Sequence, residues 1–436
     1  MRAKHLLLTF ILGFGAKAYT QSLFEKTDNL LISETDSISK LHVPVKKITS
    51  GPGYHWFAYY DKLQCDPETK YALGMKTHFE HRSPTDNDSI EIGMVDLHNN
   101  NKWIKLGISN AWGWQQGCQL QFIPGSTEEI LWNDREGDKI VCHIMNIRTK
   151  EKRTIPWSVY ALTPDGNWAF TTDYARINDM YPGYGYAGIT DPYKEELAPE
   201  KSGIWKVNLH TGEASLIISI AQVASIINPY ELDFEQAKHY FNHLLVNPDG
   251  TRFIFLHRWK YADDEKNKKY EDVGGFGTRM FTASVDGKDL RIIDPYNYTS
   301  HFIWKDAKHI LAWTRIPEKG DGFFLFEDSQ EGKIQIIGQD IMTVNGHCTY
   351  LPDSEWILND TYPHKRTRLQ SVFLYNEKQK WKIPLADMYS PIEYKGEWRC
   401  DTHPRATPDG KYVIVDSPNI DGRQMYMLDI SKLKLK

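Results

Sequence analysis

The chain has too few cysteines for a disulfide framework. Five of them (Cys65, Cys118, Cys142, Cys348, Cys400) in 436 residues make a sparse and odd set, expected mostly as small buried core residues. Positive charge is not in excess. The formal net charge of −5 leaves no electrostatic footprint for nucleic acid, although a local basic pocket for an anionic substrate stays open. Beyond the N-terminal segment no run is apolar enough to cross a membrane. There is no Gly-x-Ser-x-Gly nucleophile elbow, which disfavours a peptidase of the α/β-hydrolase type. No low-complexity stretch or long charge run occurs. A glycoside hydrolase would need two opposed carboxylates. Asp134, Asp173, Asp360 and Asp416 are candidates, but no spacing selects a pair.

The first residues read as an export signal. Arg2 and Lys4 form a charged start, Leu6 to Gly15 an apolar segment too short to span a bilayer, and Ala16-Lys17-Ala18 a small-x-small cleavage site. Residues 1–18 are therefore expected as a signal peptide, 19–53 as an N-terminal leader and 54–436 as one domain. The expected location is periplasmic or secreted, with no membrane or nucleic-acid partner.

What the chain does have is a repeat. Seven times a short apolar strand runs into a Pro-Asp-Gly-like turn and returns as a second strand. Leu244–Ile254, Ala161–Phe170 and Ala406–Val415 are the clearest copies, and looser ones surround Asp66–Pro67, Pro124–Gly125, Asp306–Ala307 and Pro352–Asp353. Pro presets φ, Asp closes the turn with its side chain, and Gly accepts the positive φ. Seven hairpins at intervals of about 40 to 80 residues predict an all-β fold, a seven-bladed β-propeller. Aromatic content of 13 % supplies ample core and also suits stacking on sugar rings. Three segments interrupt the rhythm: a structured loop over 174–203, a short helical insertion over 217–240 and a mobile loop at a blade edge over 260–277.

The repeat also locates chemistry. His243, His301, His347 and His403 each stand five residues before the turn residue of their hairpin. Equivalent positions in a propeller lie at equal heights around one axis, so these imidazoles are expected to converge on one mouth of the channel. The second strands end in polar groups at the same mouth, of which His257, Arg258 and Asp360 adjoin the histidine hairpins. Imidazoles with a carboxylate or thiolate suit Zn²⁺ or Mn²⁺. Cys400-x-x-His403-x-Arg405 is the tightest grouping, with His403 and Arg405 expected on one side of a strand. Trp114 and Gln115 offer a sugar platform with a hydrogen-bonding amide. Arg258, Arg279 and Arg405 could fork onto a carboxylate or sulfate.

Over its last four hairpins the sequence resembles the oligogalacturonate-lyase family of seven-bladed propellers. The resemblance rests on the His243 strand followed by Arg279-Met280-Phe281, on Asn345-Gly346-His347, and on Asp401 to Gly410. It implies β-elimination on uronate oligosaccharides with a divalent metal held by histidines and a Gln. His347 and His403 match metal ligands, Arg405 stands where the family has a second histidine, and the Gln position falls near Cys400. The whole chain is similar to secreted Bacteroidetes-type propellers of uronate-polysaccharide use, including an ulvan oligosaccharide dehydratase. Trp112 to Gly117, Asn345 to Cys348 and Gly396 to Asp401 carry that similarity.

The expected function is therefore a carbon-oxygen lyase on anionic, uronate-containing oligosaccharides. The long Tyr-rich loop favours a closed, end-binding pocket, hence a dehydratase giving a 4,5-unsaturated uronate. A glycosidic lyase and a non-catalytic sugar-binding propeller are the alternatives. On this reading His243 is the base and Tyr60 or Tyr184 the proton donor. Arg258 and Arg405 clamp the carboxylate, with Trp114, Gln115, His257 and Arg279 as further substrate contacts. His301, His347, His403 and Cys400 are the metal candidates, for Mn or Zn.

Overall fold

A computed structural model describes residues 39–435 except Ala58, Leu232, Gln330, Glu331 and Asp353. The expected signal peptide, the first part of the leader and Asp353 of the sixth turn lie outside the described residues. Seven antiparallel sheets follow one another along the chain, so the protein is a seven-bladed β-propeller. Blades 1 to 5 are built from consecutive strands within residues 54–109, 121–155, 161–219, 238–294 and 302–337. Blades 6 and 7 begin at Thr349 and Arg405, and each borrows its outermost strand from the N-terminal segment.

The turns form as their chemistry demands. In Thr163-Pro164-Asp165-Gly166 the Gly166 N–H donates to the Thr163 carbonyl at 2.9 Å, and Gly410 donates to Thr407 at 2.9 Å in the matching turn. Thr163 and Thr407 hydroxyls donate to Asp165 and Asp409 at 2.5 and 2.6 Å. Gly166 and Gly410 have φ of +69° and +65°, the region that favours glycine. Each turn joins the first strand of a blade to its second.

Apolar side chains pack between neighbouring blades. One cluster joins Trp56, Trp132 and Met425 from blades 1, 2 and 7; another joins Phe170, Phe253 and Phe281 from blades 3 and 4. The ring closes through strand Val45–Lys47, which pairs with Met427 and its neighbours as the outer strand of blade 7. Strand Lys40–Leu41 adds a fifth strand to blade 6. All five cysteines are buried and free. Among the described residues no helix is long and apolar enough to cross a membrane.

Two of the interruptions shape the mouth. Segment 174–203 opens with helix Tyr174–Met180, capped by Asp173, whose carboxylate accepts from the Ala175 and Arg176 amides. Buried Arg176 then ties the segment down. It pairs with Asp191 at 2.9 Å and donates to the carbonyls of His239, Tyr193, Glu196 and Leu197. Segment 217–240 contains helix Ile220–Ala224 and the short turn Phe234–Gln236. Segment 260–277 was expected at a blade edge. It folds into helix Asp264–Asn267 and turn Lys268–Val273, and Asp272, Val273, Gly274 and Phe276 instead line the central cavity.

Candidate active site

His301, His347 and His403 stand one or two residues before the innermost strands of blades 5, 6 and 7, and His243 lies within that of blade 4 and shares a cavity with His301. His347 is the hub: its ring centroid lies 4.2 Å from that of His301 and 4.3 Å from that of His403. His243 reaches them through Tyr59, which stands 5.3 Å from His243 and 4.7 Å from His403. Local backbone geometry aims them. His243 and His403 have φ of +52° and +39°, left-handed values held by tertiary bonds. His243 also sits where the pairing register shifts between Asn242 and Leu245, a bulge that redirects a side chain.

Asp360 organises the lower layer. Fully buried at the end of the second strand of blade 6, it accepts from the His347 amide (2.6 Å), the Thr402 hydroxyl (2.6 Å) and the His403 amide (3.2 Å). It also holds His347 Nδ1 at 3.0 Å. With Nδ1 donating to a carboxylate, His347 presents Nε2 as a lone pair. Gly346 is required beside it, because a Cβ there would meet the Asp360 carbonyl oxygen at 1.9 Å. His347 Nε2, His403 Nε2 and Asp401 Oδ1 are all buried with no hydrogen-bond partner. Ligand atoms of these three residues lie within 4.8 Å of one another. Two imidazole nitrogens and one carboxylate oxygen, all orphaned, fit a divalent cation such as Mn²⁺ or Zn²⁺.

Cys400 is not in that group, and neither is His301. Burial pushes the Cys400 thiol far up, against the lowering effect of Arg423, so it is not a thiolate. His301 Nδ1 is held by Asn345 Oδ1 at 2.9 Å and its Nε2 lies 3.4 Å from the Tyr362 hydroxyl. The expected alignment of His403 with Arg405 also fails. The positive φ of His403 breaks strand alternation, and Arg405 turns between blades to grip buried Asp416 (3.0 and 3.1 Å) and Gln64 (2.8 Å).

Above this layer lies a cavity of about 220 Å³ whose walls include Tyr181, Tyr184, His243, Arg258, Phe276, His301, Asn345, Tyr362 and Arg399. Arg258 is 4 % exposed, its guanidinium lies 4.5 Å over the Phe276 ring, and its Nε has no partner. Asp272, also at the cavity, is taken by Arg315. Among the described residues no carboxylate pairs with Arg258. Arg399 differs: it pairs with Asp401 at 2.8 Å and donates to the Tyr184 hydroxyl at 2.8 Å. Because Arg399 is the donor, the Tyr184 proton is left for the cavity. Burial raises the Tyr184 phenol, partly offset by Arg399, so it stays protonated. Burial holds His301, His243 and His403 well below the usual imidazole value, and all are neutral.

Of the residues singled out in the sequence, His243, Arg258, Tyr184 and His301 line the cavity, with His347 and His403 beneath it. Tyr60 does not. Its hydroxyl bridges the Phe302 carbonyl and amide across the channel at 2.8 and 3.1 Å. Trp114 packs on Trp56, Trp112 and Arg423 and donates to the Arg82 carbonyl. Gln115 pins the 396–399 turn through the carbonyls of Glu397 and Arg399. Arg279, fully buried, caps helix Ile220–Ala224 through the Val223, Ile226 and Ile227 carbonyls, with His257 beside it. The four hydrolase carboxylates are likewise engaged: Asp134 by His143, Asp173 as a helix cap, Asp360 and Asp416 as above.

Sequence reading passed over Tyr181 and Tyr362 and, while quoting Asn345, Arg399 and Asp401 within motifs, gave them no role. Asp401 had a signal: it stands two residues before His403 in extended chain.

No protein-family model matches the chain, and no curated protein sequence matches it. Solved structures do. An oligogalacturonate lyase from Vibrio parahaemolyticus superposes with a TM-score of 0.61 at 13 % identity, covering 93 % of this chain and 99 % of that one. An oligogalacturonate lyase in complex with manganese gives a TM-score of 0.61 at 14 % identity, covering 90 % and 94 %. At such identity the likeness is one of fold: this chain shares its seven-bladed architecture, nearly end to end, with those two lyases.

Proposed function

We propose that the protein is a carbon-oxygen lyase acting by β-elimination on a uronic acid at the non-reducing end of anionic oligosaccharides, ulvan-type fragments among them. The observation that carries the reading is Arg258, a buried cation without a carboxylate partner, in one cavity with a neutral imidazole and a protonated phenol. A buried guanidinium of this kind awaits an anion. A uronate carboxylate matches its fork.

The chemistry follows from the protonation states. Asn345 Nδ2 donates to the Ser300 hydroxyl at 3.1 Å, which leaves Asn345 Oδ1 to accept from His301 Nδ1–H. His301 therefore shows a lone pair at Nε2, and the base role moves to it from His243. With the carboxylate on Arg258, His301 Nε2 removes the C5 proton. The C5–H electrons form the C4=C5 bond, the C4–O bond breaks, and the departing oxygen takes its proton from Tyr184. A free C4 hydroxyl leaves as water, and a glycosidic oxygen leaves with its sugar. His347, His403 and Asp401 would hold a divalent cation, whose charge, when bound, would stabilise the anionic state beside them.

A volume of about 220 Å³ falls below the ~300 Å³ at which drug-sized ligand pockets begin. Tyr181, Tyr184, Asp272, Val273, Gly274 and Phe276 wall it in part. Both features favour one terminal sugar over a threaded chain, hence dehydration over cleavage. The segment read as a signal peptide fits action outside the cytoplasm.

The test is to mix purified protein with uronate-ended oligosaccharides, follow enol-uronate ultraviolet absorbance and weigh the products. New absorbance with the loss of one water is expected. Absorbance with shortened chains would make the protein a glycosidic lyase. Silence across ulvan, pectin and glycosaminoglycan fragments would overturn elimination.

A further inference from the structure

His243 lines the cavity but is wired unlike His301. Its own backbone N–H donates to the Tyr160 hydroxyl oxygen at 2.9 Å. The Tyr160 proton then goes to Gln116 Oε1, 2.6 Å away. Gln119 Nε2 donates to the same oxygen at 3.2 Å. Gln116 Oε1 is thus the acceptor of two protons, which leaves Gln116 Nε2 to donate to His243 Nδ1 at 3.1 Å. The circuit closes on the residue where it began, and each bond fixes the direction of the next.

We infer that Gln116 is a positioning residue that locks neutral His243 in its Nε2–H tautomer, making it a hydrogen-bond donor to the substrate carboxylate beside Arg258. His243 Nε2 has no hydrogen-bond partner among the described residues, and the ring is part of the cavity wall. Burial first, and then Arg258, keep the imidazole uncharged. A neutral N–H beside a guanidinium adds a directed donor without adding like-charge repulsion. Negative charge grows on the carboxylate as C5 loses its proton, so a donor fixed in advance binds that state better than the ground state. The two cavity histidines then have opposite faces: His301 takes a proton and His243 offers one without releasing it. The donor role rests on the elimination proposed above. The tautomer does not, because it follows from hydrogen bonds alone.

The experiment is long-range proton–nitrogen NMR on the full chain labelled with ¹⁵N-histidine. In the wild type, His243 Nδ1 is expected at the position of a bare ring nitrogen and Nε2 at that of a protonated one. In Gln116→Glu the new carboxylate accepts from Nδ1, so the proton is expected to move there. Gln116→Met, of similar volume, should give both tautomers and serves if the Glu variant does not fold. A protonated Nδ1 in the wild type, or a tautomer indifferent to both substitutions, overturns the lock. Titration with glucuronate should shift the His243 Nε2 proton downfield. Gln116→Glu should weaken binding about 10-fold or more, as loss of a hydrogen bond to a charged group predicts, and Gln116→Met only about 2-fold, because about half of its rings keep the donor. Binding with no change at that proton overturns the donor role alone. No binding at all overturns it together with the elimination, while the nitrogen positions still decide the lock.

Discussion

At the scale of the residue, the same side chain type does different work according to its neighbours. Arg258, Arg279, Arg399 and Arg405 are all buried or half-buried, and among the described residues Arg258 alone of the four is held by neither a carboxylate nor a backbone carbonyl, with only the Tyr240 hydroxyl beside it. Replacing it with Ala removes a charge-assisted contact to substrate, so kcat/KM should fall roughly 10- to 100-fold. Removing an unpaired buried charge should leave the unfolding midpoint unchanged or raised. Steady-state kinetics and thermal denaturation of Arg258→Ala check both, and a lowered midpoint would mean that the guanidinium has a structural partner. Asp401→Asn is expected to lower the metal content of protein purified with Mn²⁺ or Zn²⁺, because it removes the anionic member of the orphaned set. Elemental analysis of the two proteins measures this without reference to activity.

At the scale of the element, blade 4 carries a chain of neutral imidazoles. Arg279 donates to His257, His257 lies 3.1 Å from His239 Nδ1, and His239 Nε2 meets the Phe234 carbonyl. Burial lowers His239 to about 3, and it lowers His55 in blade 1 to about 4. In the unfolded chain both return to the ordinary 6.5. Below that pH the unfolded state binds more protons, so stability falls as pH falls and each group levels off near its folded value. The slope per group is about 1.4 kcal/mol per pH unit. Denaturant melts should be flat in this respect from pH 7 to 8 and weaken steadily from 6.5 downwards. His239→Asn should make that descent shallower. Gly346 tests another element, the turn that carries His347. Gly346→Ala must displace the backbone of Asp360, at a cost of about 1–3 kcal/mol for overpacking. Denaturant midpoints should show the loss.

At the scale of the whole molecule, closure of the ring depends on chain that precedes the first hairpin. Residues 45–47 complete blade 7 and residues 40–41 extend blade 6. Deleting 39–47 would expose the strand Gln424–Asp429 as an unpaired edge. The truncated protein should melt at lower temperature and aggregate more readily than the full chain, as calorimetry and light scattering would show. His403 and the Asp360 hub belong to blades 7 and 6, so metal affinity should weaken with it.

The sequence by itself determined the seven blades and the meeting of four histidines, because turn chemistry and strand order are local and the repeat converts equal positions into equal heights. The resemblance pointed to His347 and His403 on residues that the fold then placed among orphaned buried atoms. Roles were a tertiary matter. Whether an arginine is free depends on partners far away in sequence, as Arg405 with Gln64 shows. Which imidazole nitrogen carries the proton depends on Gln116 for His243 and Asn345 for His301. The direction of His403 depends on a positive φ that no residue pattern announces. Local chemistry wrote the scaffold, and long-range hydrogen bonds decided what each side chain on it can do.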